Sequence, residues 1–301
     1  MSRTLRDTNG EGDTDKREND TDMNICFSVN SEYLRYLYVS LTSLFLNDPG
    51  EKIHVRVFHI DLSERDRDIL AGLARSFDQD IQCVHIDKEQ LAGFRPEPYP
   101  LEAYLRLCMP YMLPYEVDRM LYLDADTIVE KPIGRFYATD FSDRYAVVCR
   151  DLKLIEAEEN GEKHTIRDES SSYFNSGVML CDLKKIRKDF RFEDFVRYAK
   201  DRDFDLPYAD QDILNGLFAG RVIYADPDLY NYMVNMEVTC GYSEETASKA
   251  VILHYAGNCP WYKVKVTPSH KRWWYYAKQT PFYDELLEMK LKGLSLPKRL
   301  Q

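Results

Sequence analysis

The sequence predicts an α/β fold in which a mainly parallel central sheet is flanked by helices. Apolar runs rich in Val, Ile and Leu alternate along the chain with segments whose apolar residues recur at helical spacing. Polar residues follow several of these runs, and the strand ends of open α/β sheets are where ligands bind. The chain has 301 residues, 44% of them hydrophobic and 30% charged, so it can bury a large core. This composition excludes a disordered or fibrous protein.

The first third of the chain supplies three predicted strands separated by two helices. The run that begins at Met23 is short and apolar, as in a buried strand, and large apolar residues within 34–45 lie three and four positions apart. Further strands are predicted at 53–60 and 81–86, and the helix between them at 63–77 begins with a serine cap. Strands joined through helices in this order are expected to be parallel.

The rest of the chain continues the alternation. Helices are predicted at 102–113 and 210–218, and strands at 119–129, 145–149, 176–183, 221–225 and 251–256. The polar stretch 151–172 is predicted as a mobile loop, since loops of this length in a compact domain are often functional lids. We expect one folded domain at 23–262, preceded by a disordered tail at 1–22 and followed by a helical, partly basic extension at 263–301.

Charge and cysteine content narrow the cellular context. Lys and Arg number 40 against 51 Asp and Glu, and the net charge of −11 disfavours a broad contact with nucleic acid. The seven cysteines are scattered without a Cys-x-x-Cys pair, which predicts reduced core residues of a cytoplasmic protein. No apolar run is long enough to span a bilayer. Lysines and aromatic residues mix near the C-terminus, so peripheral contact with the inner face of the membrane is also predicted.

Asp124 and Asp126 form the strongest candidate for a metal site. They follow an apolar run directly, and two carboxylates at i and i+2 can reach one divalent cation if the chain turns there. The spacing alone is a weak signal, because this acidic chain contains other Asp-x-Asp pairs that are expected at the surface. His254 ends another apolar run and offers a third ligand, in a set that suits Mn²⁺. The alternative is a purely structural histidine.

A second group of polar residues suits the recognition of a polyhydroxylated ligand. Asn175 and Ser176 open a predicted strand, and Asp210 and Gln211 open a predicted helix. Asp210 is explained equally well as a helix N-cap. Arg106 lies in an otherwise apolar helix, where it is either a surface residue with a buried stem or a buried cation that faces the acidic site.

Several short motifs together carry a family resemblance. In chain order they are Ile25-Cys26-Phe27-Ser28 with Tyr33, Tyr104-Leu105-Arg106-Leu107, Leu121-Tyr122-Leu123-Asp124-Ala125-Asp126, Phe174-Asn175-Ser176-Gly177-Val178, Asp210-Gln211-Asp212-Ile213-Leu214-Asn215, His254-Tyr255-Ala256-Gly257 and Pro260-Trp261. Their order over about residues 23–262 resembles glycosyltransferase family 8, which includes glycogenin and the bacterial lipopolysaccharide galactosyl- and glucosyltransferases. The resemblance implies a single catalytic domain of the GT-A type, with Mn²⁺ and a nucleotide-sugar donor such as UDP-glucose or UDP-galactose.

The resemblance also implies roles for individual residues. The metal ligands would be Asp124, Asp126 and His254. The donor-binding residues would be Ser28, Asn30, Tyr33, Arg106, Asp124, Ala125, Asn175, Ser176, Gly257 and Lys263, and the catalytic pair would be Asp210 and Gln211. The implied reaction is transfer of a hexose to a glycan, glycolipid or protein acceptor with retained anomeric configuration. Because the amide of Gln211 is a poor nucleophile, a front-face ion-pair mechanism is favoured over double displacement.

The sequence departs from the family pattern near both ends of the resemblance. Asn30 stands where the family usually has Asp, and Glu32 stands where it often has Asn. The closing motif is one residue short between Gly257 and Pro260, and it lacks the lysine found there in the family. We expect Lys263 or Lys265 to supply the missing phosphate contact.

Two other functions compete with the transferase. The acidic cluster would also suit a glycosidase or phosphohydrolase, which needs no nucleotide. A catalytically weakened protein that only binds a sugar nucleotide or a partner would explain the missing lysine. Binding of a UDP-sugar separates the transferase from the hydrolase, and its turnover to UDP excludes the weakened protein.

Overall fold

The structure is a computed structural model that describes residues 22–95, 99–159 and 172–293. The predicted disordered tail lies outside the described residues except for its last position, and so do 160–171 of the predicted mobile loop and 294–301 of the C-terminal extension.

The strands of the described part of the chain are β1 Met23–Val29, β2 Ile53–His59, β3 Asp80–His85, β4 Arg119–Leu123, β5 Thr127–Val129, β6 Ala146–Arg150, β7 Phe174–Asp182, β8 Val222–Ala225, β9 Tyr232–Met233 and β10 Ile252–His254. The α-helices are α1 Leu34–Asn47, α2 Glu64–Ser76, α3 Leu105–Met112, α4 Gly134–Tyr137, α5 Leu152–Glu159, α6 Leu183–Asp189, α7 Phe192–Lys200, α8 Asp210–Leu217, α9 Pro227–Tyr230, α10 Met236–Thr239, α11 Glu244–Lys249, α12 His270–Ala277 and α13 Tyr283–Leu291.

Seven strands form a central sheet in the order β3-β2-β1-β4-β7-β6-β8. Neighbouring strands are parallel except that β7 runs antiparallel to both β4 and β6. The prediction of a mainly parallel sheet flanked by helices is therefore confirmed. As a consequence of this topology, the carboxyl ends of the six parallel strands meet the amino end of β7 at one edge of the sheet.

A small second sheet, in the order β5-β10-β9, lies beside the central one. The predicted strand at 119–129 is interrupted where Asp124 follows its apolar run, because the chain turns between β4 and β5 and passes from one sheet to the other. The amide of Asp124 donates to the Gly177 carbonyl oxygen at 2.8 Å, and the amide of Thr127 donates to the Asp124 carbonyl oxygen at 3.1 Å. The strand predicted at 251–256 is shortened to β10 and belongs to this small sheet.

The predicted loop 151–172 begins with a helix, α5. The Asp151 carboxylate accepts a hydrogen bond from the Leu154 amide at 3.2 Å, which caps the first turn of the helix. The prediction is wrong for 152–159 because the stretch 151–172 is polar as a whole, whereas Leu152, Leu154 and Ile155 lie together in α5 and Leu154 is buried.

Apolar side chains cover both faces of the central sheet, and β7 is buried over almost its whole length. A third apolar cluster joins α1 to α12 and α13, and it includes Tyr36, Trp261 and Trp273, with the last two fully buried. The aromatic part of the predicted C-terminal extension therefore packs on the rest of the chain. The boundary between a domain at 23–262 and an extension at 263–301 stays a prediction. No described helix has both the length and the apolar character needed to cross a bilayer.

Candidate active site

A cleft of about 570 Å³ opens at the edge where the strand ends meet. Thirteen of the fourteen site residues singled out from the sequence line it: Ser28, Asn30, Tyr33, Arg106, Asp124, Ala125, Asp126, Asn175, Ser176, Asp210, Gln211, His254 and Gly257. The sheet topology thus brings together residues more than 200 positions apart in the chain. Lys263 is exposed and does not line the cleft, and Lys265 is exposed as well.

Asp124, Asp126 and His254 form a group that could hold a metal ion, which we call the metal-binding cluster. One ligand atom from each lies within 4.8 Å of the others. The His254 Nε2 atom is 3.2 Å from an Asp126 carboxylate oxygen and 3.7 Å from an Asp124 carboxylate oxygen. Two carboxylates and an imidazole are a donor set that fits a divalent cation of the Mn²⁺ type.

The local fold gives this cluster its shape. β10 pairs antiparallel with β5 so that His254 lies opposite Thr127, and the Tyr255 amide donates to the Asp126 carbonyl oxygen at 3.0 Å. Gly177 leaves room for the ligands, because a Cβ atom there would lie 2.3 Å from His254 Cε1 and 2.6 Å from Asp124 Oδ2. A side chain at position 177 would therefore fill the space that the cluster occupies.

The imidazole of His254 is oriented from behind. Its Nδ1 atom is 2.8 Å from the amide oxygen of Asn231, whose nitrogen donates to the Asn175 side-chain oxygen at 3.0 Å. This contact leaves Nε2 to face the two carboxylates, which is the arrangement that metal-binding histidines usually have. Burial by itself lowers the pKa of His254, but the Asp126 carboxylate, followed by Asp124, more than offsets that effect and raises it.

Arg106 is the buried cation of the site. Its guanidinium donates to an Asp124 carboxylate oxygen at 2.9 Å and to the Ser176 carbonyl oxygen at 2.7 Å. Its Nε lies 2.9 Å from an Asp210 oxygen, close enough for an ion pair although the N–H is not aligned for a hydrogen bond. Burial opposes the charge, but Asp124 and then Asp210 outweigh it and raise the pKa of Arg106. Of the two interpretations made from the sequence, the buried cation is the one observed.

Asp210 and Gln211 enter the cleft from the first turn of α8. The preceding residue, Ala209, has a φ of 49°, a positive value that residues other than glycine rarely adopt. The Gln211 side-chain oxygen accepts a hydrogen bond from the Ser176 amide at 2.8 Å. Burial raises the pKa of Asp210 to about 6, against the opposing effect of Arg106. Asp210 is the first residue of α8, whose N-cap is Ala209, and its carboxylate contacts Arg106 and Ser176.

Sequence reasoning missed two residues of this network. The Asp151 carboxylate accepts hydrogen bonds from the Asn175 amide at 3.1 Å and from the Gln211 amide at 3.3 Å. Asp151 directly follows the strand β6, just as Asp124 directly follows the strand β4. The sequence signal that marks Asp124, a carboxylate at the end of an apolar run, therefore marks Asp151 as well. Asn231 follows α9 and carries no such signal in the sequence, because its contacts are made across more than 20 residues.

Asn30, Tyr33 and Gly257 line the cleft as well, with Asn30 and Tyr33 just after β1 and Gly257 just after β10. The Asn30 side chain accepts from the Tyr33 amide at 3.1 Å and so caps the turn that carries Tyr33. Gly257 has a φ of 74°, which favours glycine at this position. The segment after Gly257 is held by Trp261, whose ring stacks on Tyr36 of α1 with the centroids 3.9 Å apart.

Comparison with known proteins agrees with this architecture. The profile of glycosyl transferase family 8 matches residues 24–265. A Haemophilus influenzae protein is 28% identical over 202 residues, which are 66% of this chain and 60% of that protein. A lipopolysaccharide 1,2-glucosyltransferase of Escherichia coli is 28% identical over 258 residues, 82% of this chain and 75% of the relative. This chain thus spans less than two thirds of the first relative and three quarters of the second.

Among solved structures, the galactosyltransferase LgtC in complex with donor and acceptor sugar analogues superimposes with a TM-score of 0.72 at 26% identity. The superposition covers 92% of this chain and 98% of that structure, so the GT-A fold implied by the resemblance is confirmed. The family profile covers most of the chain, including every residue of the metal-binding cluster. On this evidence the chain belongs to glycosyltransferase family 8.

Proposed function

We propose that this protein is a divalent-metal-dependent glycosyltransferase that transfers glucose or galactose from a UDP-sugar to a carbohydrate-containing acceptor. The observation that carries the proposal is the metal-binding cluster of Asp124, Asp126 and His254, located in the same cleft as the polar pair Asp210 and Gln211. The lipopolysaccharide 1,2-glucosyltransferase and the LgtC galactosyltransferase among its relatives support a hexose donor and a glycan acceptor.

We assign Asp124, Asp126 and His254 as ligands of Mn²⁺. When bound, such an ion stabilises the negative charge that develops on a departing diphosphate. Asn231 fixes the face of the imidazole, and Arg106 fixes the Asp124 carboxylate while it balances the charge of Asp210. Ser28, Asn30 and Tyr33 are assigned to the nucleoside, because they line the cleft at the end of β1.

Asn175, Asp210 and Gln211 are assigned to the transferred sugar. They are buried and interlinked through Ser176 and Asp151, so they present fixed donors and acceptors to sugar hydroxyls. The Gln211 amide is neutral and held at both ends by hydrogen bonds. A neutral amide supports a front-face reaction, in which the leaving group and the acceptor occupy the same face of a short-lived oxocarbenium ion.

The experiment that tests this proposal measures UDP release from UDP-glucose and UDP-galactose with Mn²⁺ and with EDTA. We expect metal-dependent release that is lost in Asp126→Asn and kept in the matched control Asp68→Asn, an exposed residue of another Asp-x-Asp pair. UDP binding without any release would favour the second candidate, a protein that binds the nucleotide sugar without turnover. The missing lysine of the closing motif is the observation that favours that candidate.

We also propose peripheral contact with anionic lipid at the inner face of the membrane, through the surface of α12. Val266 and Tyr275 are 69% and 63% exposed, and with three lysines (Lys271, Lys278 and Lys290) they line a groove of about 410 Å³. Apolar and basic side chains side by side suit a lipid interface. Sedimentation with anionic vesicles should fall in the double variant Val266→Ser, Tyr275→Ser. Equal sedimentation with neutral and anionic vesicles would exclude this contact.

A further inference from the structure

Carboxylates outnumber cations among the described side chains that line the cleft. Among the described residues, five carboxylates line it, on Glu102, Asp124, Asp126, Asp151 and Asp210. The permanent cations that line it in the same part of the chain are Arg106 and Lys153. A cleft with this excess of negative charge repels a phosphate group unless a cation faces it.

The charge of Arg106 is already balanced by protein carboxylates, so this residue is not available to bind a phosphate. Its guanidinium is buried and already contacts two carboxylates, on Asp124 and Asp210, together with the Ser176 carbonyl oxygen. Removing it from these partners would leave buried carboxylates uncompensated, which is costly.

Lys153 differs from Arg106 in each of these respects. It lies in the first turn of α5, two residues after Asp151, whose hydrogen bonds to Asn175 and Gln211 fix the start of that helix against the cleft. Its side chain is half-buried and lines the cleft. Within 22–95, 99–159 and 172–293 its ammonium group has no hydrogen-bond or ion-pair partner. A lysine at a cleft that none of the described carboxylates holds is suited to a phosphate.

The lysines expected from the sequence to bind phosphate are placed elsewhere. Lys263 and Lys265 are exposed and do not line the cleft. Sequence analysis does not single out Lys153, which lies in the segment predicted as a mobile loop.

We infer that Lys153 binds a phosphate group in the cleft and takes the place of the lysine missing from the closing motif. The inference rests on the proposed function, in which the donor is a nucleoside diphosphate sugar. The phosphate can come from the donor's diphosphate or from a phosphorylated acceptor sugar, and the experiment separates these two sources.

The test compares Lys153→Met, which keeps the length of the side chain and removes its charge, with Lys153→Arg, which keeps the charge. Lys184→Met is the matched control, since Lys184 is an exposed lysine of α6, at the opposite edge of the sheet. Thermal unfolding checks that each variant is folded. Isothermal titration calorimetry then measures the affinity of each variant for UDP and for uridine, and for glucose 6-phosphate and for glucose. Each titration is done with Mn²⁺ and again with EDTA.

If the donor supplies the phosphate, Lys153→Met lowers the affinity for UDP about tenfold and leaves the affinity for uridine unchanged, while Lys153→Arg retains the affinity for UDP. If the acceptor supplies the phosphate, Lys153→Met leaves the affinity for UDP unchanged and lowers the affinity for glucose 6-phosphate. Unchanged affinity for both phosphates in Lys153→Met, or a loss seen instead in Lys263→Ala, overturns the inference while UDP binding by the parent chain leaves the proposed function intact. Failure of the parent chain to bind UDP refutes the proposed donor. The affinities of the parent chain and of Lys153→Met for glucose 6-phosphate then show whether Lys153 binds phosphate.

Discussion

The central sheet and the small sheet hold the two halves of the metal-binding cluster in different ways. On the central-sheet side, the Asp124 carboxylate accepts hydrogen bonds from Arg106 and from the Tyr122 hydroxyl, each at 2.9 Å. On the small-sheet side, His254 is the ion-pair partner of Asp126 in the described part of the chain, and Asn231 supports the imidazole. One side is thus a charge network and the other is a chain of single contacts.

This difference separates structural from chemical roles. Asp124 compensates a buried arginine, so it contributes to folding as well as to the proposed metal binding. Asp126 is close to His254 because β10 pairs with β5, and that pairing consists of backbone hydrogen bonds that do not need the carboxylate. Substitutions on the central-sheet side are therefore expected to affect stability and activity, and those on the small-sheet side mainly activity.

The largest expected effect comes from the two carboxylates themselves. Asp126→Asn should lower transfer about a thousandfold, since losing the metal removes roughly 4 kcal/mol of transition-state stabilisation. Asp124→Asn should lose as much activity and in addition about 1–3 kcal/mol of unfolding free energy, because Arg106 loses a charged partner. Urea unfolding and UDP release measure the two quantities. Equal stability of the two variants would remove the proposed difference between the sheets.

Gly177→Ala tests whether the two sides must approach each other closely. The new methyl group would overlap both His254 and Asp124, and shifting ligands by about 1 Å should reduce transfer about a hundredfold. Gly134→Ala is the matched control, because a Cβ atom there meets nothing within 4 Å. Full activity of Gly177→Ala would mean that the cluster does not act as one site.

Asn231→Ala tests the support on the small-sheet side. Without the amide oxygen that contacts Nδ1, the imidazole is free to rotate, and metal affinity should fall about 10–100-fold while the fold is retained. Titration with Mn²⁺ followed by electron paramagnetic resonance measures this affinity without any substrate. An unchanged dissociation constant would show that the strand pairing alone fixes His254.

The smallest expected effect concerns the central-sheet side and pH. Burial raises the pKa of Asp212 from 3.8 to about 6, although its carboxylate accepts hydrogen bonds from the Tyr173 hydroxyl at 2.6 Å and the Tyr208 amide at 2.7 Å. The folded state then binds the proton more tightly than the unfolded state. The stability that the protonated form contributes is complete below pH 3.8 and is lost as the pH rises through about 6.

Asp212→Asn should remove this dependence, so the difference in unfolding free energy between variant and parent should change by about 2 kcal/mol between pH 4 and pH 7. Denaturant unfolding at several pH values measures it, and the difference between the two proteins cancels the contributions of other groups. A difference that does not vary with pH would contradict the raised pKa.

The sequence predicted the elements of the central sheet well and the small sheet poorly. β1 and β2 are apolar runs separated by an amphipathic helix, and such patterns reflect burial on both faces of a sheet. β3 lies at the end of the sheet and is only partly buried. β9 has two residues and β5 and β10 have three, which is too short for any periodicity. The turn after β4 is marked in the sequence by its two carboxylates, but nothing there shows that β5 leaves the central sheet.

The candidate site shows the same division. Asp124, Asp126 and His254 follow or end apolar runs, so their position at a strand end could be deduced before their proximity was known. Asn231 and the charge pairing of Arg106 with Asp210 could not, because each depends on a contact across 23 or more residues. Lys263 was favoured by its nearness in sequence to the closing motif, yet the cleft contains Lys153 instead.

The sequence by itself determined the alternation of strands and helices, the family motifs and the types of residue available for chemistry, because each of these is local or is ordered along the chain. Only the tertiary structure decided which of those residues meet. The register of β10 against β5 places His254 beside Asp126, and the antiparallel course of β7 brings Asn175 and Ser176 to the edge where β4 ends. Such pairings depend on strand register and packing between distant segments, and no short stretch of sequence contains that information.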